Sequence, residues 1–324
     1  MPPYPFELDW IVALQTHESL QRIMTWFSYL GSEACVAILP VVYLVLSRAA
    51  GERIFLLYST GGVLQQILKL VFHVPRPFWI DARIKALADA GGFGLPSGHA
   101  QMATLIWPYV ARTLGMALAW PVAIVTILVV SVSRMYLGVH SFSDVATGCV
   151  IGAGWLAVFV SQEQKVMRWF DSTRFWGRMG WIGVIAAVLL AIGIAARPPV
   201  GPLPDSPALA KAIGEAHKLS SPFRSVGLFV GAASGILLAR RWARFEAGGP
   251  WWQRGVAVGF TLAVAWVCHK LAKKAPEFTL ETLQCSLNFL YGTLVNFWLV
   301  FVAPWILLKA NLLHRPDSEK PAIK

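Results

Sequence analysis

Charged residues are scarce in this chain. Asp, Glu, Lys and Arg together make up 14% of its 324 residues, whereas 56% of the residues are hydrophobic. Soluble domains carry roughly a quarter charged residues. This composition, with a mean hydropathy of +0.57, therefore excludes an ordinary soluble protein. The length is better counted in membrane spans of about 20 residues each.

Cysteines and grouped acids are also few. The four cysteines are scattered and form no CxxC pair: Cys35, Cys149, Cys268 and Cys285. Their spacing gives no support for a thiolate metal site or a redox site. No acidic cluster has the spacing of metal ligands. We therefore expect neither a metal nor another cofactor.

The excess of positive charge has a different meaning here than in a soluble protein. The net charge is +11, but no exposed basic tract is interleaved with stacking aromatic residues. Nucleic acid is therefore not an expected partner. In a membrane protein, basic loops set the orientation and contact anionic phospholipid. We expect an anionic lipid surface as the partner of these loops.

Long apolar runs predict an all-α, polytopic transmembrane bundle of about nine spans, preceded by an interfacial helix. The interfacial helix is predicted at residues 8–27, where apolar residues form a stripe along a polar helix. The spans are predicted at residues 30–48, 53–73, 99–116, 119–138, 143–161, 179–196, 223–240, 253–271 and 288–309.

The basic, amphipathic segment 162–178 indicates a boundary between two membrane modules. We predict an N-terminal interfacial part at 1–29, a catalytic core at 30–165, and a C-terminal four-span module of unknown role at 166–324. Glycine-rich runs in that module suit close helix packing, and Asn288 and Asn296 suit hydrogen bonds between helices. The oligomeric state is left open.

The distribution of Lys and Arg in short loops favours an outside N-terminus, an inside C-terminus and an outside 74–98 loop. With this orientation we expect a bacterial inner-membrane protein whose site opens on the periplasmic face.

Three polar stretches interrupt the apolar pattern at the same predicted membrane face. They are KLVFHVPRP at 69–77, PSGH at 96–99 and SRMYLGVHSFSD at 133–144. Ionisable residues at membrane depth are costly, and one alone is often a helix-end residue. Because the predicted order of the spans places all three stretches at one membrane face, they favour a functional site.

The cations and the Ser-Gly turn have the chemistry of a phosphate site. Lys69, Arg76 and Arg134 can neutralise phosphate oxygens, and an arginine can donate two parallel hydrogen bonds. Ser97 and Gly98 lead into a predicted helix, whose free N–H groups favour an anion. Glycine also allows close approach of the backbone.

The histidines and the aspartate supply candidate catalytic groups. His140 and Asp144 lie four residues apart, or about one helical turn. Asp144 can therefore hold Nδ1–H of His140 and leave Nε2 as a nucleophile. His99, from another helix, can protonate a leaving oxygen. These groups fit a nucleophile, its orienting residue and an acid/base around positive charge.

The spacing of these three motifs resembles the signature of the type 2 phosphatidic acid phosphatase superfamily, whose members are membrane lipid phosphate phosphatases and their relatives. The resemblance covers about residues 30–161. The matching residues are Lys69, Arg76, Pro77, Pro96, Ser97, Gly98, His99, Ser133, Arg134, His140 and Asp144.

The resemblance implies a metal-independent lipid phosphatase. His140 would attack phosphorus and form a phosphohistidine, Asp144 would orient it, and His99 would protonate the leaving group and then activate water. The phosphoryl oxygens would be held by Lys69, Arg76, Ser97, Gly98 and Arg134. The expected substrates are a polyprenyl diphosphate, phosphatidylglycerophosphate or phosphatidic acid.

Two other functions fit the same residues. A lipid phosphotransferase would pass the phosphoryl group to another acceptor instead of water. A lipid-binding or transport protein would use a phosphatase-like core as a headgroup receptor. Haloperoxidases share the signature by resemblance, but they are soluble, so we rank that function last.

Overall fold

The computed structural model describes residues 4–172, 174–202, 205–274 and 280–316. These residues are almost entirely helical, and their only β-type pairing is a single bridge between Glu246 and His314. The helices are α1 Pro5–Gln15, α2 Gln21–Tyr29, α3 Glu33–Val41, α4 Arg48–Phe72, α5 Pro77–Ile80, α6 Gly98–Leu114, α7 Ala119–Tyr136, α8 Phe142–Ser172, α9 Phe175–Ala195, α10 Pro207–Ala216, α11 Ser220–Trp242, α12 Trp251–Lys274, α13 Glu281–Phe297 and α14 Ala303–Lys309.

The predicted polytopic helical bundle is confirmed. Within the described ranges, eight helical segments are long and apolar enough to cross a membrane. The remaining predicted span, 99–116, forms α6, a helix of 17 residues. It ends at Gly115, whose φ of 66° is the left-handed conformation that glycine adopts without strain.

The predicted single amphipathic helix at 8–27 is wrong, because the structure divides this stretch into α1 and α2. A short 3₁₀ turn, Glu18–Leu20, separates them. The Thr16 hydroxyl donates to the Ala13 carbonyl, and such local bonds compete with continued helix. In α1, Leu8 and Ile11 are buried against Ile84, while Trp10 is exposed.

The chain forms two compact units, each assembled from separate stretches. The first comprises Met1–Cys35, Gly61–Ser161 and Ala191–Pro222, and the second comprises Val36–Thr60, Gln162–Leu190 and Phe223–Lys324. The linear division at 29/30 and 165/166 stays a prediction. All eight predicted site residues lie in the first unit.

Glycines bring α11 and α13 together in the second unit. A Cβ added at Gly227 would overlap the Phe289 carbonyl, and one added at Gly292 would overlap the Arg224 carbonyl. The two backbones therefore touch where side chains would hold them apart. The glycine-rich sequence of α11 predicted this close packing.

Asn296 links three helices of the second unit. Its Nδ2 donates to Ser59 Oγ of α4 at 3.0 Å and to the Leu228 carbonyl of α11 at 2.9 Å. Its side chain is buried, so both bonds are shielded from water. Asn288, by contrast, donates to the Gln284 carbonyl of its own helix. The predicted bonding between helices is therefore confirmed for Asn296.

We expect Asn296→Ala to lower the free energy of unfolding by about 1 kcal/mol, because it removes hydrogen bonds between membrane helices. Asn288→Ala is the matched control and should change stability little. Thermal unfolding of the detergent-solubilised variants measures both effects. Equal melting temperatures for the two variants would contradict this prediction.

Candidate active site

The first motif is held by the carbonyls of a loop that precedes α6. Lys69, near the end of α4, donates from Nζ to the Phe93 carbonyl. Arg76 donates to the carbonyls of Gly91 at 2.6 Å and Gly92 at 2.8 Å. Both cations are buried. The loop carbonyls therefore compensate part of the hydration that these charges have lost.

The second motif forms the start of α6. Ser97 is the residue before the helix, and its backbone N–H donates to the Asp144 carbonyl at 2.9 Å. Its hydroxyl is buried and has no hydrogen-bond partner among the described residues. A Cβ at Gly98 would overlap the Gln65 amide, so glycine permits a close approach to α4 here. His99, in the first turn, is partly buried.

The third motif brings His140 between an acid and a cation. Nδ1 of His140 lies 3.4 Å from Asp144 Oδ2, and Nε2 lies 3.4 Å from Arg76 Nη1. Arg76 Nη1 also donates to the Val139 carbonyl at 2.7 Å. The Ser141 backbone N–H donates to Asp144 Oδ2 at 2.9 Å, which fixes the carboxylate at the start of α8.

The three motifs converge on one cluster. Arg76 joins the first motif to His140, and Ser97 joins the second to Asp144. Arg134, buried in the last turn of α7, interacts electrostatically with His140 and His99. All eight residues predicted for the site lie in the first compact unit, and the charges of Lys69, Arg76 and Arg134 act on both histidines.

The environment of His140 keeps its imidazole neutral. Burial lowers the pKa of His140 well below its ordinary value, and the charges of Arg76, Lys69 and Arg134 lower it further. A neutral imidazole has a lone pair on one ring nitrogen. The cluster can therefore present an uncharged nitrogen nucleophile beside fixed positive charge.

Residues that sequence reasoning missed support the turn around His140. Glu7 of α1 is buried and accepts hydrogen bonds from the Ser143 backbone N–H and hydroxyl, both at 3.0 Å. Ser28 of α2 accepts from Arg134. No local sequence signal distinguishes these two from surface polar residues, because only the tertiary fold brings them to α7 and α8.

Two glycines of α8 were also missed, although their spacing carries a signal. Gly148 and Gly152 are four apart, the small-xxx-small pattern of close helix contacts. A Cβ at Gly148 would lie 2.6 Å from the Ser97 carbonyl, and one at Gly152 would lie 2.8 Å from the Gln101 carbonyl. These glycines let α8, which carries Asp144, lie directly against the start of α6.

Comparison with known proteins gives two family matches. The PAP2 superfamily model matches residues 52–168, which contain all three motifs. A second model, described as the transmembrane extension of PAP2 superfamily phosphatases, matches residues 223–315. It covers most of the C-terminal spans, for which the motifs gave no counterpart.

A curated relative is similar over part of the chain. Phosphatidylglycerophosphatase B of Bacillus subtilis (strain 168) is 26% identical over 163 residues, which are 46% of this chain and 78% of the relative. No solved structure matches significantly.

We expect Gly148→Ala to lower the free energy of unfolding by about 1–3 kcal/mol, because its methyl group would meet backbone that cannot rotate away. Gly154→Ala is the matched control, since a Cβ there meets nothing within 4 Å. Thermal unfolding of both variants tests this. A Gly148→Ala variant as stable as Gly154→Ala would contradict the close contact.

Proposed function

We propose that this integral membrane protein, a PAP2 superfamily phosphatase with a transmembrane extension, removes phosphate from the headgroup of a membrane lipid through a phosphohistidine intermediate. The observation that carries the proposal is the position of His140. Its two ring nitrogens face Asp144 and Arg76, and the charges of the buried Lys69 and Arg134 also act on it. That arrangement suits attack on a phosphoryl group whose negative charge must be balanced.

In the first step, Nε2 of His140 attacks phosphorus and forms a P–N bond. The P–O bond to the lipid breaks on the opposite side. His99, which takes up a proton when the negatively charged phosphate enters the site, gives this proton to the departing oxygen. Asp144 faces Nδ1 of His140 at 3.4 Å. It orients the ring and stabilises the positive charge that the imidazole gains.

In the second step, His99 takes a proton from water, and the water oxygen attacks phosphorus. The P–N bond breaks, so neutral His140 and inorganic phosphate are released. The phosphoryl oxygens are held in both steps by Lys69, Arg76, Arg134, the Ser97 hydroxyl and the N–H groups at Gly98. The buried Ser97 hydroxyl has no other partner among the described residues, which supports this role.

The reaction as proposed uses no metal. In metal-dependent phosphoryl transfer, divalent ions neutralise the phosphoryl oxygens. Lys69, Arg76 and Arg134 supply three positive charges for the same purpose from the protein itself.

The substrate is proposed from the setting of the site. A catalytic cluster built at the ends of membrane helices suits a phosphate attached to a lipid tail. The Bacillus relative is named a phosphatidylglycerophosphatase, so phosphatidylglycerophosphate ranks first, followed by phosphatidic acid and polyprenyl diphosphates. We further propose a bacterial inner membrane with the site on the periplasmic face, because the loop charges favour an outside 74–98 loop.

Phosphate release by purified protein from these three lipids, with EDTA present, tests the proposal. We expect hydrolysis that survives EDTA and that falls by about a thousandfold or more in His140→Ala, because the nucleophile is lost. His73→Ala removes an exposed histidine that lies inside the first motif but is not among the predicted site residues. It is the matched control and should retain activity.

Three results would contradict the proposal. They are full activity in His140→Ala, loss of activity with EDTA, and release from soluble phosphate esters alone. Phosphate that appears on an added acceptor lipid instead of in solution would indicate a phosphotransferase.

The decrease of kcat/KM on the acidic side of its pH profile, the acidic limb, tests the protonation state of His140. A nucleophile must be deprotonated, so activity is lost only when the pH falls through its folded-state pKa, which burial and the cations lower. Arg76→Gln removes one of these charges. It should raise the pKa of His140 and move the acidic limb to higher pH.

Arg76→Lys keeps the charge and is the control, and its limb should stay near that of the wild type. All three proteins are compared on one substrate, so that titration of the substrate cancels. An acidic limb at the same pH in Arg76→Gln and wild type would show that His140 does not set it.

A further inference from the structure

Residues Ser28–Gly31, which we name the N-terminal turn, lie beside the candidate active site. They comprise the last two residues of α2 and the two residues after it, and they precede the residues that the PAP2 superfamily model matches, 52–168. They belong to the same compact unit as the three motifs. The turn contacts both α6, which carries His99, and α7, which carries Arg134.

Ser28 makes a direct contact with a proposed phosphate-binding side chain. Its Oγ accepts a hydrogen bond of 2.6 Å from Arg134 Nη1, and both side chains are buried. Hydrogen bonds to charged groups are stronger than those between neutral groups. An arginine has many rotamers, so this bond restricts the direction in which its remaining N–H groups point.

The rest of the turn is fitted against the start of α6. The Trp107 indole N–H of α6 donates to the Leu30 carbonyl at 2.9 Å. A Cβ at Gly31 would lie 2.9 Å from the His99 carbonyl and 2.7 Å from Val130 Cγ1. Only glycine lets the turn approach the backbone of His99 so closely.

We propose that the N-terminal turn is a positioning element of the active site, in which Ser28 sets the guanidinium of Arg134 for phosphate. The inference rests on the proposed function, because it assumes that Arg134 holds phosphoryl oxygens. Ser28 acts through Arg134 and is therefore a positioning residue. It lies outside the residues that the PAP2 superfamily model matches, so this support for the site comes from outside the three motifs.

Ser28→Ala is the variant that tests the proposal. We expect kcat/KM for lipid hydrolysis to fall about tenfold and binding of inorganic phosphate to weaken by a similar factor, because a bond to a charged group is lost. Ser28→Thr keeps a hydroxyl and should recover most of the loss. Thr25→Ala is the matched control, because the Thr25 hydroxyl bonds to the Gln21 carbonyl of the same helix.

Coupling to Arg134 separates positioning from general support of the fold. In an Arg134→Lys background, which removes the fixed guanidinium, Ser28→Ala should cause little further loss. Independent structural effects would instead multiply. Melting temperatures of all variants identify any that fail to fold. If Ser28→Ala fails to fold, the activity of Ser28→Thr still tests the role of the hydroxyl.

Measuring inorganic phosphate binding by calorimetry, apart from hydrolysis, keeps two failures distinct. If the wild type hydrolyses lipid and Ser28→Ala behaves like Thr25→Ala, the positioning role is wrong and the proposed function stands. If no lipid is hydrolysed but phosphate binding depends on Ser28, the proposed function is wrong and the positioning role stands. If the protein neither hydrolyses lipid nor binds phosphate in a way that depends on Ser28, the proposed function and the positioning role are both wrong.

Discussion

The burial of three cations whose charges act on one histidine is the constraint on which the candidate active site depends. Removing a charge from water costs several kcal/mol unless the protein replaces the lost hydration. Lys69 and Arg76 donate hydrogen bonds to backbone carbonyls of the loop before α6, and Arg76 donates a further one to the Val139 carbonyl. The loop is therefore part of the site, because it keeps the charges in place without neutralising them.

The same charges support the proposed role of His140 as the nucleophile. A site rich in positive charge attracts phosphate and also keeps a nearby imidazole unprotonated. Asp144 is the one carboxylate in the three motifs, and the Ser141 backbone N–H holds it at the start of α8 by a hydrogen bond. In the proposed cycle, negative charge arrives with the substrate, and the electrostatic cost of the cations decreases when it binds.

Helix packing brings these groups to one place. Gly148 and Gly152 set α8 against α6, and the helices before the matched family domain bring Glu7 and Ser28 to α8 and α7. The second unit has the same kind of close backbone contact, at Gly227 and Gly292 between α11 and α13. In lipid, where apolar surface gives little driving force for association, close backbone contact and hydrogen bonds between helices become the main attractions.

The sequence by itself determined the membrane class and most of the span pattern, and it predicted the residues of the candidate site. Apolar runs and ionisable residues at membrane depth are strong signals, and motif spacing placed Lys69, Ser97, Arg134 and His140 at one face. Only the tertiary structure decided that the N-terminal stretch breaks into α1 and α2, and that Glu7 and Ser28 contact the site. These contacts join residues more than a hundred positions apart, and a single Glu or Ser carries no periodic pattern that predicts its partner. Helix spacing is a local property of the chain, whereas the partner of a buried polar group is set by which helices pack together.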